Sequence, residues 1–108
     1  MTFKKSALLI ILTLLSFIIN GQTLIGTVVD KDNVPLVGVN VFNDSGKGVI
    51  TDINGSFTLT LEKGNTKINF SYIGFETLSK QYFLEENELK DTKIILNEVS
   101  KKLDVVVI

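Results

Sequence analysis

Alternating hydrophobic and polar positions recur along most of the chain and predict short β-strands. The clearest example is Ser-Phe-Thr-Leu-Thr-Leu at residues 56–61, in which Phe57, Leu59 and Leu61 occupy every second position. Successive side chains of a strand point to opposite faces, so these three residues should face a core while Ser and Thr face water. We therefore predict that residues 56–61 form a half-buried strand.

Other segments have the alternation, or the β-branched and aromatic residues, that are typical of strands. They are residues 23–30, 37–42, 49–51, 67–73, 76–84, 92–96 and 103–108. Turns rich in Gly, Asn and Asp separate them at intervals of about 8–12 residues, which favours an all-β fold. We predict an antiparallel two-sheet β-sandwich of about seven strands. Its expected core is Val28, Val39, Val41, Phe57, Leu59, Ile68 and Phe70, with Val37 on the same face as Val39.

Six residues are expected to shape the turns, namely Asn33, Pro35, Asp52, Asn54, Gly55 and Gly74. Asn33 tolerates a left-handed backbone, and Pro35 restricts the exit from its turn. The pair Asn54-Gly55 lies between apolar segments and predicts a type I′ hairpin turn, in which both residues have positive φ. Gly74 is expected to end the strand over residues 67–73.

The first 21 residues have the composition of a secretory signal peptide. Lys4 and Lys5 give a positive start, residues 7–19 are apolar apart from one Thr and one Ser, and Gly21 is a small residue before a cleavage point at Gln22. The alternative is an uncleaved membrane anchor, but a spanning helix needs about 20 apolar residues, more than this segment provides. We expect an exported protein whose mature domain begins at Gln22.

The expected mature region is weakly acidic and poor in catalytic groups. Nine lysines against twelve acidic residues give it a net charge of −3, and the sequence has no arginine. Nucleic-acid binding is not expected, because phosphate affinity requires clustered Lys and Arg. The absence of His and Cys excludes a Ser-His-Asp triad, a Cys-His pair and the commonest soft metal ligands. We expect no enzyme activity, no catalytic residue, no cofactor and no metal site.

Two oxygen-rich loops, residues 30–33 and 52–55, are candidates for calcium binding. An EF-hand loop needs a glutamate at its twelfth position, where this chain would have Val41 or Lys63. Asp and Asn side chains more often cap the backbone of their own turn. We therefore favour a structural role for both loops.

Two side-chain clusters are alternative binding surfaces, one acidic and one aromatic. The acidic cluster consists of Glu85, Glu86 and Glu88. The aromatic cluster consists of Tyr72, Phe75, Tyr82 and Phe83. We expect the first to be a solvated loop, although it could bind a cation or a basic partner. For Tyr72, alternation with Ile68 and Phe70 favours core packing over an aromatic binding surface.

Four stretches, taken in order, resemble the carboxypeptidase-regulatory-like domain, a transthyretin-like β-sandwich. They are Gly-Thr-Val-Val-Asp at 26–30, Pro-Leu-Val-Gly-Val-Asn-Val at 35–41, residues 48–57, and Phe-Ser-Tyr-Ile-Gly-Phe at 70–75. The family usually has glycine where this chain has Asn33, and asparagine also tolerates a left-handed turn. The resemblance covers about residues 23–98 and implies a signal peptide (1–21), the sandwich domain (22–98) and a tail (99–108).

The resemblance also implies a biological setting. The domain is similar to the module that follows the signal peptide in TonB-linked outer-membrane receptors of the SusC/RagA type, from Bacteroidetes-like bacteria. There it precedes an energy-coupling segment, a plug and a barrel. The tail looks like the start of that segment and contains Leu103, Asp104, Val105, Val106, Val107 and Ile108. The resemblance implies a non-catalytic adaptor in the periplasm or outer membrane of a Gram-negative bacterium, with a TonB-type energy transducer or a receptor plug and barrel as partner.

Several alternatives stay open on the sequence. The chain could be a truncated receptor, a free-standing cell-surface domain that binds glycan or protein, or a peptidase accessory domain. The 108 residues include no plug or barrel, so we do not expect them to transport a substrate themselves. Residues 103–108 could add a strand to a partner, or they could be the last strand of the sandwich.

Overall fold

The structure, a computed structural model, describes residues 21–100, and within them the chain forms β-strands joined by turns. The strands are β1 (Gln22–Val29), β2 (Asn40–Asn43), β3 (Gly48–Ile50), β4 (Ser56–Leu61), β5 (Gly64–Ser71), β6 (Leu78–Leu84) and β7 (Leu89–Ile95). In this part of the chain there is no helix with the length and apolar character needed to cross a membrane.

The strands form two sheets, which confirms the predicted seven-stranded sandwich. One sheet has the order β4-β1-β7 and the other has the order β3-β2-β5-β6. One pairing departs from the expected antiparallel arrangement, because β1 and β7 run parallel, with Val28 opposite Ile94. Parallel neighbours need a long crossover, and the five strands between β1 and β7 provide it.

The core lies between the two sheets and confirms all seven residues predicted for it. Each of Val28, Val39, Val41, Phe57, Leu59, Ile68 and Phe70 is at most 5% exposed. Phe57 of β4 and Phe70 of β5 belong to different sheets, and their rings meet edge to face with centroids 5.9 Å apart. This aromatic pair joins the two layers at the centre of the sandwich.

The predicted strand over residues 37–42 is shorter in the structure, because β2 begins only at Asn40. Val37 was expected on the same face of this strand as Val39 and Val41, but it is 51% exposed at the tip of a turn. The buried hydroxyl of Thr51 explains the difference: it accepts from the Val39 N–H (2.9 Å) and donates to the Leu36 carbonyl (2.6 Å). These bonds hold residues 36–39 in a turn that alternation alone does not predict.

The predicted type I′ hairpin at residues 52–55 is wrong. The Gly55 N–H donates to the Asp52 carbonyl (2.9 Å), which makes Ile53 and Asn54 the central residues of the turn. Gly55 has a φ of 73°, whereas Asn54 is not among the residues with positive φ. The turn also does not join paired strands, since β3 and β4 lie in different sheets and the chain crosses between layers here.

Asp52 caps this turn, because its Oδ1 accepts from the backbone N–H groups of Asn54 and Ser56 (both 2.9 Å). The same arrangement occurs after β1, where Asp30 Oδ1 accepts from two N–H groups of residues 32–34 and Asn33 has a φ of 66°. These hydrogen bonds agree with the structural role that we favoured for both oxygen-rich loops.

The first and last strands, β1 and β7, run parallel, so the described chain begins at one end of the sandwich and finishes at the other. We call these the entry end and the exit end. The entry end contains Gly21 and the turns at residues 43–47, 62–63 and 85–88. The exit end contains the turns at residues 30–39, 51–55 and 72–77, together with residues 96–100. The chain therefore enters the domain at one end and leaves it at the other.

Candidate partner-binding site

The predicted partner-binding residues, Leu103 to Ile108, lie outside the described residues, but the structure shows where the chain departs toward them. After β7, the Leu96 N–H donates to the Val29 carbonyl (2.9 Å) at the exit end of the first sheet. The chain then crosses to the second sheet, where the Val99 N–H donates to the Gly74 carbonyl (2.9 Å). Ser100, the last described residue, therefore lies next to the turn at Gly74.

The turn over residues 72–75 is the surface nearest to this departure point. The Phe75 N–H donates to the Tyr72 carbonyl (3.0 Å), and Gly74 has a φ of 83°, as a type II turn requires at that position. The rings of Tyr72 and Phe75 lie 5.4 Å apart and pack, partly buried, against the core. Phe75 also forms a β-bridge with Glu98. The departing chain is thus held against a turn that is itself anchored in the core.

The four candidate aromatic residues do not form one surface. Tyr82 is 7% exposed, and its hydroxyl shares a 2.9 Å hydrogen bond with Thr92 of β7. Burial raises the pKa of Tyr82, although the bond to Thr92 acts in the opposite direction. Its neighbour Phe83 points to the other face of β6 and is 54% exposed. Tyr82 is therefore a core residue, and only Tyr72 and Phe75 lie near the exit.

The acidic cluster lies at the opposite end of the molecule from the departing chain. The Glu85 N–H donates to the carboxylate of Glu88 (2.8 Å), which also lies 3.7 Å from the Lys90 ammonium. The Asn87 N–H donates to the side-chain oxygen of Gln22 (2.9 Å) and ties this turn to the start of β1. Among residues 21–100, no three acidic, His or Cys side chains converge in the manner of a metal site.

Comparison with known proteins decides the family. Residues 24–108 match the model of the CarboxypepD_reg-like domain. The chain belongs to this family. The match extends through the tail, so residues 103–108 are part of the sequence that the family model covers.

Two curated relatives are receptors. TonB-dependent receptor P39 of Formosa agariphila is 33% identical over 115 residues, which cover 99% of this chain and 10% of the relative. TonB-dependent receptor P3 of the same organism is 28% identical and covers 94% of this chain and 12% of the relative. The chain therefore spans only about a tenth of the length of the curated relatives it matches.

Solved structures resemble the fold at low sequence identity. The 3-chlorocatechol 1,2-dioxygenase of Rhodococcus opacus 1CP superposes with a TM-score of 0.55 at 16% identity, covering 73% of this chain and 61% of that one. The group B streptococcus pilus 2b backbone protein gives a TM-score of 0.54 at 16% identity, covering 71% and 41%. An enzyme and a pilus protein share this architecture, so these similarities establish the sandwich and nothing about activity.

One feature of the exit end was not predicted from the sequence. Three turn tips there carry exposed aliphatic residues, with Val37 at 51%, Ile53 at 80% and Ile73 at 90% exposure. A sequence signal for them exists, because each aliphatic residue stands directly before Gly or Asn-Gly. Alternation predicts Val37 on the same face as Val39, and Ile73 is the last residue of the predicted strand over residues 67–73.

Proposed function

We propose that the chain is the exported, non-catalytic adaptor module of a TonB-linked outer-membrane receptor, located in the periplasm or at the outer membrane. We further propose that residues 103–108 donate a strand to a TonB-type energy-transducing protein. The observation that carries the proposal is the match to two TonB-dependent receptors along nearly the whole chain, together with a family match that includes the tail. Residues 1–21 are proposed to be the signal peptide that exports it.

Strand donation agrees with the chemistry of the tail. Val105, Val106, Val107 and Ile108 are β-branched, which suits an extended backbone. An added strand gains affinity from main-chain hydrogen bonds, and its alternate side chains give selectivity. Lys101 and Lys102 separate this segment from Ser100, where the described domain ends, and we assign them the role of a short tether.

A non-catalytic role agrees with the chemistry of the described domain. Its buried polar side chains make structural hydrogen bonds: the Gln22 amide donates to the Leu61 carbonyl (3.2 Å) and Thr51 supports the turn before β2. The Asn69 amide donates to the carboxylate of Asp44 (3.0 Å). None of these groups is left free to act on a substrate, which supports an interaction module.

The test uses the chain from Gly21 onward, which contains every described strand, in four forms: intact, without residues 103–108, with Val105→Pro, and with Val105→Thr. The probe is the purified C-terminal domain of the TonB-type protein of Formosa agariphila, titrated by calorimetry. Deletion should abolish binding and leave the melting temperature nearly unchanged. Val105→Pro removes a backbone donor and should weaken binding, whereas Val105→Thr keeps the donor and the β-branch and should not.

Two outcomes would contradict the proposal. A clear fall in melting temperature on deletion would show that residues 103–108 are a strand of the sandwich itself. Equal binding by the intact and deleted forms would show that the transducer does not use this segment.

A further inference from the structure

The two ends of the sandwich differ in the exposed residues of their turns, because the exit end exposes aliphatic residues beside charged ones such as Lys31, Asp32 and Asp52. At the exit end, the tips carry Val37, Ile53 and Ile73, which are exposed by 51%, 80% and 90%. We call these three residues the apolar tips. Turn positions normally hold Gly, Pro, Asn, Asp or Ser, so three β-branched aliphatic residues at one end are unusual.

The entry end provides the internal comparison. The exposed positions of its turns at residues 43–47, 62–63 and 85–88 hold charged residues, Ser, Gly and Asn, and no aliphatic residue larger than glycine. Exposed aliphatic residues grouped on one surface are typical of an interaction site.

Hydrogen bonds and close approaches show that the three turns adjoin. The Gly38 N–H, next to Val37, donates to the Thr51 carbonyl (3.1 Å), two residues before Ile53. A Cβ atom placed on Gly38 would lie 3.7 Å from the ring of Tyr72, the neighbour of Ile73. The turn of Val37 therefore lies against both other turns, and the apolar tips belong to one surface.

The tail begins on this same surface. The Val99 N–H is bonded to the carbonyl of Gly74, the residue after Ile73. An extended chain spans at most about 3.3–3.6 Å per residue, so Leu103 can lie no more than about 11 Å from Ser100. A protein that binds residues 103–108 must therefore approach to within about that distance of Ser100, which lies next to the turn at Gly74.

From this geometry we infer that the apolar tips form a second contact for the protein that binds the tail, so that the strand and the end of the sandwich engage one partner together. The inference rests on the proposed function. The partner surface needs an open strand edge flanked by exposed apolar side chains. Once the tail is bound, the short tether keeps the apolar tips close to the partner, so the second contact forms within one complex. The affinity of the intact chain for the partner should then exceed that of the tail alone.

The experiment compares affinities for the transducer C-terminal domain named above. The forms are the intact chain from Gly21, the double variant Ile53→Ser with Ile73→Ser, the matched control Leu89→Ser, and a peptide of residues 100–108. Leu89 is 65% exposed at the start of β7, at the entry end, so its variant makes the same chemical change on the opposite surface. We expect the double variant and the peptide each to bind at least about tenfold more weakly than the intact chain. Leu89→Ser should bind like the intact chain.

The controls separate the possible failures. Melting temperatures within about 2 °C of the intact chain would show that the double variant is folded, as its exposure predicts. If the double variant and the peptide both match the intact chain, the inference is wrong while strand donation stands. If the intact chain does not bind, both proposals fail.

One further measurement addresses two other occupants of the apolar tips. In ¹H–¹⁵N spectra of the isolated chain, Val105→Asp with Val107→Asp should leave the amide signals of Ile53 and Ile73 unmoved. Shifts there would mean that the chain's own tail covers the tips, and signals that depend on concentration would mean that a second copy does. Either result would overturn the inference.

Discussion

Replacing Gly55 by alanine should destabilise the sandwich by about 2–4 kcal/mol, and the reason lies in two separable effects. The first is backbone strain, because Gly55 has a φ of 73°, where an L-residue loses about 1–2 kcal/mol. The second is crowding, because a Cβ atom at this position would lie 2.6 Å from the Val28 carbonyl oxygen and 3.2 Å from Pro35 Cβ.

The crowding cannot be relieved cheaply, since the atoms involved are part of the hydrogen-bonded backbone. The Val28 N–H donates to the Gly55 carbonyl (2.8 Å), and the Val28 carbonyl accepts from the Leu36 N–H (3.0 Å). Moving the Val28 carbonyl away from a methyl group would disturb both bonds. Inserting a methyl group into such a packed site typically costs about 1–3 kcal/mol.

Gly46 is a matched control within the same chain. It has a φ of 91° in a turn of the same design, with its N–H donating to the Asn43 carbonyl (3.1 Å), but nothing lies within 4 Å of a Cβ placed there. The loss of stability in Gly46→Ala should therefore come from backbone strain alone. It should be smaller than the strain by about 0.4–1 kcal/mol, because alanine lowers the conformational entropy of the unfolded chain. We expect a loss of about 1 kcal/mol for Gly46→Ala.

Equilibrium unfolding in urea measures both variants, with the slopes of the transitions compared to confirm a common unfolded state. The free energy of unfolding should fall by about 1–3 kcal/mol more in Gly55→Ala than in Gly46→Ala. Gly55→Val should be less stable than Gly55→Ala, because valine is β-branched. Losses that agree within about 0.5 kcal/mol would refute the argument, because they would show that the Val28 carbonyl does not restrict this site.

Two further predictions concern the core. Phe57→Ala should cost about 3–5 kcal/mol in urea unfolding, whereas Phe83→Ala, at a 54% exposed position, should cost less than about 1 kcal/mol; a Phe57 loss below about 1 kcal/mol would contradict its place between the sheets. Burial raises the folded-state pKa of Tyr82 above its ordinary value, so the fold is stabilised while the phenol is neutral, below about pH 10. This stabilisation should be lost as the pH rises through the higher pKa of the folded state. Tyr82→Phe should remove this part of the alkaline loss, and an unfolding free energy that falls equally in both proteins between about pH 9 and 11 would show that Tyr82 does not cause it.

The sequence predicted the core because a two-residue period is a local property. Phe57 and Leu59 alternate with polar residues on β4, as Ile68 and Phe70 do on β5. A strand register that buries one residue of such a pair also buries the other, because alternate residues share a face. The family resemblance rested on turn residues of the same local kind. Asn33 adopts the left-handed conformation expected of it because the residue type tolerates it.

The errors arose where tertiary contacts override a local pattern. Val37 continues the alternation of Val39 and Val41, but the Thr51 hydroxyl, fourteen positions further along the sequence, holds its turn. Asn54-Gly55 suits a type I′ turn only if the flanking strands pair, and here they enter different sheets. The parallel pairing of β1 with β7 likewise depends on the assembly of the whole sandwich, which no single segment encodes.

The apolar tips show the same limit for the candidate site. Ile53 and Ile73 are far apart in sequence and come to the same end of the sandwich because β3 and β5 both end there, on either side of the start of β2. The resemblance to receptors predicts that the tail is a partner-binding segment. The surface from which the tail departs becomes visible only in the folded domain.

Amide hydrogen exchange at residues 105–108 tests the central claim most directly. In the isolated chain from Gly21 onward, strand donation requires these amides to be unpaired and to exchange fast. With the transducer C-terminal domain added in excess, they should become protected, while the amides of β1 and β5 stay slow throughout. Slow exchange at residues 105–108 in the isolated monomer would contradict the account, because those residues would then already be paired within their own fold.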